Sequence, residues 1–552
     1  MNFMMNLYLR KNNKLQQKLI LIIFFAILFA VGSNIYQNYG ISLDEEETRK
    51  HGFMSLRYIY EIFFPSQTFT IDNYIAIPKL LDFFSKDHGP ILDTLFAFIE
   101  ITFGFEESRV QYLFRHYSCF IIFSIGVYFF YLIGKFRFND WRIGLLGSVF
   151  LVLSPRIFAE SFYNNKDVAF MSLFIISLYC CLKFIYKPNL KHAFTLALSS
   201  AFATDLRLMG IILPFLTLFF IIILSLREKN FLKKNFFITL VFLILVFSFI
   251  IIFWPYLWSD PITNFFLAFN KFSNFPWAGK NLYFSQYVDA SYVPWHYSLT
   301  WISITTPFLY VVLFVFGFSI ALTRTIKRLL NIEEHKKLND LWRGKKEMLD
   351  LMILLNFFSP IFLVIILNSN LHDGWRHLYF VYPSFLLLSL YGFNQITKIF
   401  KKKNFHNYFI LVVILTLVIN VVTMIKIHPY QNVYFNFLAG KKIENKFEVD
   451  YWALSNKQAL EFILLNNNKD YYKIYPASHM NINTSKLIFS NLKKKKIKIV
   501  NKKSEADFII SNGRFWRGNP DAKFAKIPNN FELYKEISTD RVKIVSIFKK
   551  SF

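Results

Sequence analysis

Apolar residues in this chain run in blocks rather than in stripes. Stretches of roughly 17–25 residues, long enough to cross a bilayer as helices, fall near 18–36, 116–134, 143–158, 167–186, 191–206, 208–226, 236–254, 301–323, 348–368, 378–397 and 407–426. The pattern predicts an α-helical polytopic membrane protein with about eleven transmembrane helices. Between the first two blocks lies a segment, 37–115, too long for a simple connection. Within it Gly52–Phe64 and Pro90–Phe105 are apolar and aromatic yet too short to cross, and read as helices lying in the interface. The polar turn Lys86-Asp-His-Gly-Pro90 separates them. From Ile427 onward the blocks give way to Asn, Lys and Asp with short β-like runs. Strands are predicted at Tyr471–Tyr475, Lys496–Val500, Asp507–Ser511 and Val542–Phe548, and an amphipathic helix at Ser455–Leu465. The chain therefore divides into a membrane part, 1–426, and a small α/β domain, 427–552, large enough to fold alone.

Composition strengthens this reading. Of 552 residues, 54% are hydrophobic and 69 are Phe, more apolar surface than a soluble globular protein carries. The net charge of +27 would raise the question of nucleic acid. Here, however, Lys and Arg crowd into short segments between the blocks: Arg10–Lys18, Lys135–Arg142, Lys183–Lys191, Arg227–Lys234, Arg324–Lys346 and Lys398–Lys403. That is a positive-inside pattern, and no nucleic-acid partner is implied. It places 37–115, Arg156–Lys166, Asp205–Leu208, Pro255–Thr300, Asn368–His377 and everything after Lys426 on the extracytoplasmic side of the cell's inner (plasma) membrane. The basic start has no small-residue cleavage site after its apolar run and reads as an uncleaved first span. Cys119, Cys180 and Cys181 all lie in apolar runs and imply no disulfide framework.

Candidate chemistry gathers at the outer ends of the spans. Asp44-Glu45 follows the first, Ser154 to Asp167 joins the third to the fourth, Asp205-Leu-Arg207 ends the fifth, and His372-Asp-Gly-Trp-Arg-His377 precedes the tenth. Each has an ordinary explanation alone: acids cap helix starts, and long cations snorkel to the interface. Together they set several acids beside several cations on one face. A phosphate-bearing lipid substrate needs such cations to hold its charge, and a carboxylate opposite can take the proton of an attacking hydroxyl. If the substrate is a sugar on a polyprenyl phosphate, the phosphate leaves unprotonated and charge stabilisation replaces a general acid. A transporter or flippase for a lipid-linked sugar is the alternative, but inverted repeats and polar residues at the bilayer midplane are not seen. A non-catalytic assembly or sensing protein is a second alternative.

The stretches GISLDEEETRKHG from Gly40, RHYSCFIIFSIGVYFFY from Arg115, SPRIFAESFYNNKDVAF from Ser154 and DGWRHLYFVYP from Asp373 resemble the GT-C membrane glycosyltransferases. The nearest branch is that of the protein O-mannosyltransferases and aminoarabinose transferases. The resemblance covers about residues 18–430. It implies transfer of a sugar from a polyprenyl-phosphate-linked donor to a glycan, lipid or protein acceptor on the outer face, with Asp44 as an inverting general base. Glu45 stands as its companion and Asp167 as the second acid, near the donor phosphate or a metal. His88 stands where the mannosyltransferases have a His-Pro-Pro turn, with Gly89 in place of the middle proline. By position, Arg207 and Arg376 are the candidates for the donor phosphate, followed by Lys166 and Arg115, and His377 stands beside Arg376. Asp44 and Asp167 would suit a divalent cation such as Mg²⁺ or Mn²⁺, which nothing in the sequence demands. HPYQNVYFNFLAG from His428 and EVDYWALSNKQAL from Glu448 resemble the tail of a bacterial subgroup, with no chemistry attached.

Overall fold

The computed structural model describes residues 2–67, 78–228, 230–273, 277, 279–330, 341–402, 405–514, 526–540 and 542–551. The chain is a polytopic helical membrane protein with a small mixed sheet near its C-terminus. Among the described residues, 8 helices are long and apolar enough to cross a membrane: Lys14–Asn38, Ser108–Phe138, Asp167–Tyr186, Leu208–Arg227, Lys233–Phe253, Phe308–Leu330, Gly344–Ile366 and His406–Lys426. The other expected spans are present as broken or shorter helices. The block at 143–158 splits into Trp141–Val152 and Pro155–Tyr163, bent by 69°. Pro155 takes the first turn of the second piece, where its missing N–H costs nothing. The block at 191–206 forms the 17-residue helix Leu190–Leu206, capped by Asn189. The tenth expected span, 378–397, opens as the 3₁₀ turn Arg376–Val381 and continues as Tyr382–Lys402, with Asn394 and Gln395 interrupting its apolar run. The span expected at 301–323 shifts to Phe308–Leu330, because Thr306-Pro307 separates it from the short helix Tyr297–Thr305. Part of the expected basic segment Arg324–Lys346, at 331–340, lies outside the described residues.

Packing is tight enough to hold polar groups in fixed places. A Cβ on Gly317 would lie 2.1 Å from the Leu388 carbonyl oxygen, and one on Gly392 would lie 2.1 Å from that of Leu313. The helices Phe308–Leu330 and Tyr382–Lys402 thus meet backbone to backbone, as small residues allow within a bilayer. In the first long loop the two expected helices form as Glu45–Phe63 and Ile91–Thr102.

The C-terminal sheet has strand order Ile497–Ile499, Tyr472–Pro476, Phe508–Ser511, Val542–Lys550, Phe531–Thr539. The first three strands are parallel and the last two pairings antiparallel. The helix Asn456–Leu465 is also present. This part rests on the ends of the first two spans: Gln458 Nε2 donates to the Asn38 carbonyl at 3.2 Å and Ser108 Oγ to that of Leu487 at 2.9 Å.

Candidate active site

The site begins with a local folding rule. In the turn Ser42-Leu-Asp-Glu45 that leads into the helix Glu45–Phe63, the Ser42 N–H donates to Glu45 Oε1 at 2.6 Å. This turns Glu45 inward, where its Oε2 meets Nε2 of the wholly buried His116 at 2.9 Å. Asp44 faces the other way: its side chain is 44% exposed against 4% for Glu45. The expected Asp-Glu pair is therefore divided, one carboxylate for the site and one for the interior. Glu45 does not face the site.

Asp167 opens its helix under a second local constraint. Its N–H donates to Asn164 Oδ1 at 2.7 Å, and Asn164 Nδ2 donates to Asp167 Oδ2 at 3.2 Å and to Glu160 Oε2 at 2.8 Å. Arg207, at the C-terminal end of Leu190–Leu206, donates to Asp167 Oδ1. Arg376 then joins the two acids, its Nη1 lying 3.1 Å from Asp44 Oδ2 and 3.3 Å from Asp167 Oδ2. Charges thus alternate along Asp44, Arg376, Asp167 and Arg207. Just before Arg376 the chain turns sharply, with Asp373 and Gly374 both at positive φ (58° and 72°), which an Asp-Gly pair tolerates. This brings Asp373 Oδ2 to 3.4 Å and His372 Nε2 to 3.1 Å from Arg376 Nη2. Because arginine has no acceptor, His372 Nε2 accepts that hydrogen bond. Burial and Arg376 hold His372 neutral, its pKa pushed down to about 4 against the pull of Asp373. Burial works to raise the Asp44 pKa, but Arg376, Lys166, Arg207 and His372 together hold it below the usual carboxylate range.

Lys166 differs from the two arginines. Its field reaches Asp44, Asp93 and Asp167, yet among the described residues its side chain makes no ion pair or hydrogen bond. Burial and Arg207 pull its pKa down. His88 lies at the edge, lining a small cavity with Gly89, Asp205 and Arg207, with Asp87 at 3.8 Å. A Cβ on Gly89 would fall 1.8 Å from the Asp205 carbonyl oxygen, so the middle position of this turn admits glycine for close approach. His377 packs edge-on against His372, ring centroids 4.6 Å apart.

Arg115 does not join the other cations. It is held between Glu100 at 2.5 Å and Asp93 at 3.1 Å, and Glu100 also takes Arg49 at 2.7 Å. This second network ties the two loop helices to Ser108–Phe138 behind the site. Asn165 links it forward, donating to Asp93 Oδ1 at 2.7 Å and Thr48 Oγ1 at 3.0 Å.

Sequence reasoning missed the contribution of the C-terminal part. The Trp452 ring covers the Arg376 guanidinium at 4.7 Å, and Arg514 donates to Asp373 and, at 2.5 Å, to the Tyr451 carbonyl. The tryptophan in the EVDYWALSNKQAL stretch was the available signal. Trp277, from the aromatic segment before Tyr297, stacks on His372 at 4.4 Å. The divalent cation does not fit this donor set. The Arg376 guanidinium fills the place between Asp44 and Asp167, and among the described residues no group of 3 or more His, Cys, Asp or Glu converges as a metal site.

Residues 87–254 match the family described as dolichyl-phosphate-mannose-protein mannosyltransferase, in agreement with the resemblance carried by the motifs. The matched stretch holds His88, Arg115, Lys166, Asp167 and Arg207, and leaves Asp44 and Arg376 outside it. Among solved structures, ArnT from Cupriavidus metallidurans, crystallised with undecaprenyl phosphate, is similar over 96% of this chain and 97% of its own, at 11% identity and a TM-score of 0.46. No curated protein matches the sequence.

Proposed function

We propose that the chain is a glycosyltransferase of the GT-C type that moves a sugar from a polyprenyl-phosphate-linked donor to an acceptor hydroxyl on the extracytoplasmic face. The family matched at 87–254 is named for a donor of this class, a sugar on dolichyl phosphate. The observation that carries the reading is the state of Asp44. It is half-open to solvent, while the carboxylates of Asp167 and Asp373 are buried and each held by two arginines. Arg376 and its neighbours keep Asp44 ionised.

The acceptor oxygen attacks the anomeric carbon from the side opposite the phosphate. Its proton passes to Asp44 as the carbon–oxygen bond to phosphate breaks, and the sugar inverts. The polyprenyl phosphate leaves with both electrons of that bond, and its charge is met by Lys166 and Arg207 without a proton donor. Arg376 holds Asp44 in place, and no step passes through a metal ion.

The test is sugar transfer in proteoliposomes supplied with polyprenyl-phosphate donors. Asp44→Asn keeps the shape and removes the basicity, so transfer should fall by about 10²–10⁴, the usual worth of a general base. Donor binding should persist. A variant that folds, binds donor and transfers at the wild-type rate removes Asp44 from the mechanism.

A further inference from the structure

The helices that hold the site at one end build a second, different feature at the other. Asp167–Tyr186 is 20 residues long, so its far end lies about 30 Å from the site. There the last turns of Ser108–Phe138 and Asp167–Tyr186 meet the starts of Trp141–Val152 and Gly344–Ile366 around an open cleft of about 780 Å³.

Its lining is cationic. Lys135, Arg142, Lys183, Lys345 and Lys346 all face it, and among the described residues none of them is ion-paired. Arg137 is at the cleft too, but Asp350 takes it, Nη2 to Oδ2 at 2.6 Å. The one carboxylate lining the described cleft is Asp140, and its Oδ1 caps the next helix by accepting the Arg142 N–H at 2.8 Å. Aromatic rings brace the cations: Lys345 Nζ lies 4.8 Å over Tyr186 and Lys183 Nζ 5.3 Å over Tyr179. Leu132, Phe136 and Leu349 complete the wall, with Phe136 exposed.

We propose that this cleft binds the phosphate headgroup of an anionic phospholipid from the leaflet opposite the active site. Like charges drawn together with little acid among them are unfavourable unless an anion joins them. Basic clefts between helix ends at a membrane surface suit lipid phosphates, each cation adding attraction. The apolar wall and the volume favour a headgroup with the start of its chains over a soluble phosphate ion. The proposal is independent of the glycosyltransferase reading, because none of these residues belongs to the site around Asp44.

The experiment is native mass spectrometry of the full chain, stripped of lipid and offered cardiolipin, phosphatidylglycerol or phosphatidylcholine, with inorganic phosphate as competitor. The wild type should retain the two anionic lipids over phosphatidylcholine. Lys345→Gln/Lys346→Gln, both on exposed positions, should weaken that retention by on the order of tenfold, while Lys345→Arg/Lys346→Arg should restore it. Sugar transfer by the glutamine variant in phosphatidylcholine detergent micelles should be unchanged. Equal retention of phosphatidylcholine, unchanged retention by the glutamine variant, or displacement of the lipid by inorganic phosphate would each overturn the assignment.

Discussion

The two ends of the same helices handle charge in opposite ways. At the end that carries Asp44, arginine and aspartate alternate, so that Arg376 serves Asp44, Asp167 and Asp373 while Arg207 completes Asp167. At the end that carries Lys183, the cations stand side by side against aromatic rings with little acid to meet them. Compensated charge fixes geometry: each partner is held by the other, and little net field is left for a ligand. Uncompensated charge does the reverse, leaving positions loose and the attraction unspent. The active end also keeps Lys166, a cation whose side chain makes no ion pair among the described residues. Lys166 is the residue that connects the two designs.

The largest effect expected is from breaking the alternation. Arg376→Gln leaves Asp44, Asp167 and Asp373 facing one another at a largely buried position, and removing one partner of a buried ion pair costs on the order of 3–5 kcal/mol. The variant should lose transfer at least as completely as Asp44→Asn and also unfold at lower temperature. Lys345→Gln/Lys346→Gln at the opposite end should leave thermal stability within about 0.5 kcal/mol of wild type, as exposed substitutions usually do. Thermal unfolding of both variants in the same detergent makes the comparison. Equal losses would show that the two ends do not differ in the way described.

Much of the active end was legible because membrane chains separate charge along the sequence. Asp44, Asp167, Arg207 and Arg376 lie at span ends, and topology alone carried them to one face. Side-chain direction was not legible. Glu45 follows Asp44 directly, and the two carboxylates diverge because the Ser42 N–H and His116 take Glu45 while Arg376 takes Asp44. Arg115 looked like the other cations, but Glu100 and Asp93, which claim it, lie in a loop helix whose packing no local pattern reveals. The bend of 69° at Ser154-Pro155 was not legible either, because the apolar block runs on through it. The strand Phe531–Thr539 was missed because it is an edge strand, exposed over much of its length, whose alternation of Phe531, Leu533 and Ile537 is broken by Lys535. The hairpin Lys280–Tyr283/Gln286–Asp289 was missed because Phe284 and Ser285 take its positive-φ turn positions without the usual Asn or Gly.

A smaller effect sharpens the role of the bare cation. Lys166→Gln removes an ammonium that no carboxylate holds among the described residues, so little of the site's framework depends on it. Affinity for polyprenyl phosphate should fall by about 10–100-fold, corresponding to roughly 1.5–3 kcal/mol for a charge-assisted contact, with thermal stability unchanged. Binding is measured by titration with the lipid phosphate. If Arg207→Gln loses the affinity and Lys166→Gln does not, the phosphate is held by the arginine that Asp167 orients, and compensated charge takes part in binding.

The smallest effect concerns the C-terminal cover. Glu448 lies in the field of Arg514 and Asp373, and its pKa is raised to about 7, by burial first and by Asp373 second, with Arg514 opposing. A carboxyl whose folded pKa exceeds its unfolded value favours the folded state while protonated. That contribution is fully present below the unfolded pKa, near the ordinary 4.5, and is lost as pH rises through about 7. Above that range Glu448 becomes a second anion beside Asp373, and Arg514 must serve both. The wild type should therefore lose thermal stability between about pH 5 and 8. Glu448→Gln, neutral throughout, should lack this component of the slope. Because Arg514 lies one contact away from Arg376 through Asp373, transfer by the glutamine variant should change little at pH 6 and exceed that of the wild type only at higher pH. Parallel unfolding curves for the two proteins across that range would show that Glu448 does not titrate there, and that the cover over Arg376 is indifferent to pH.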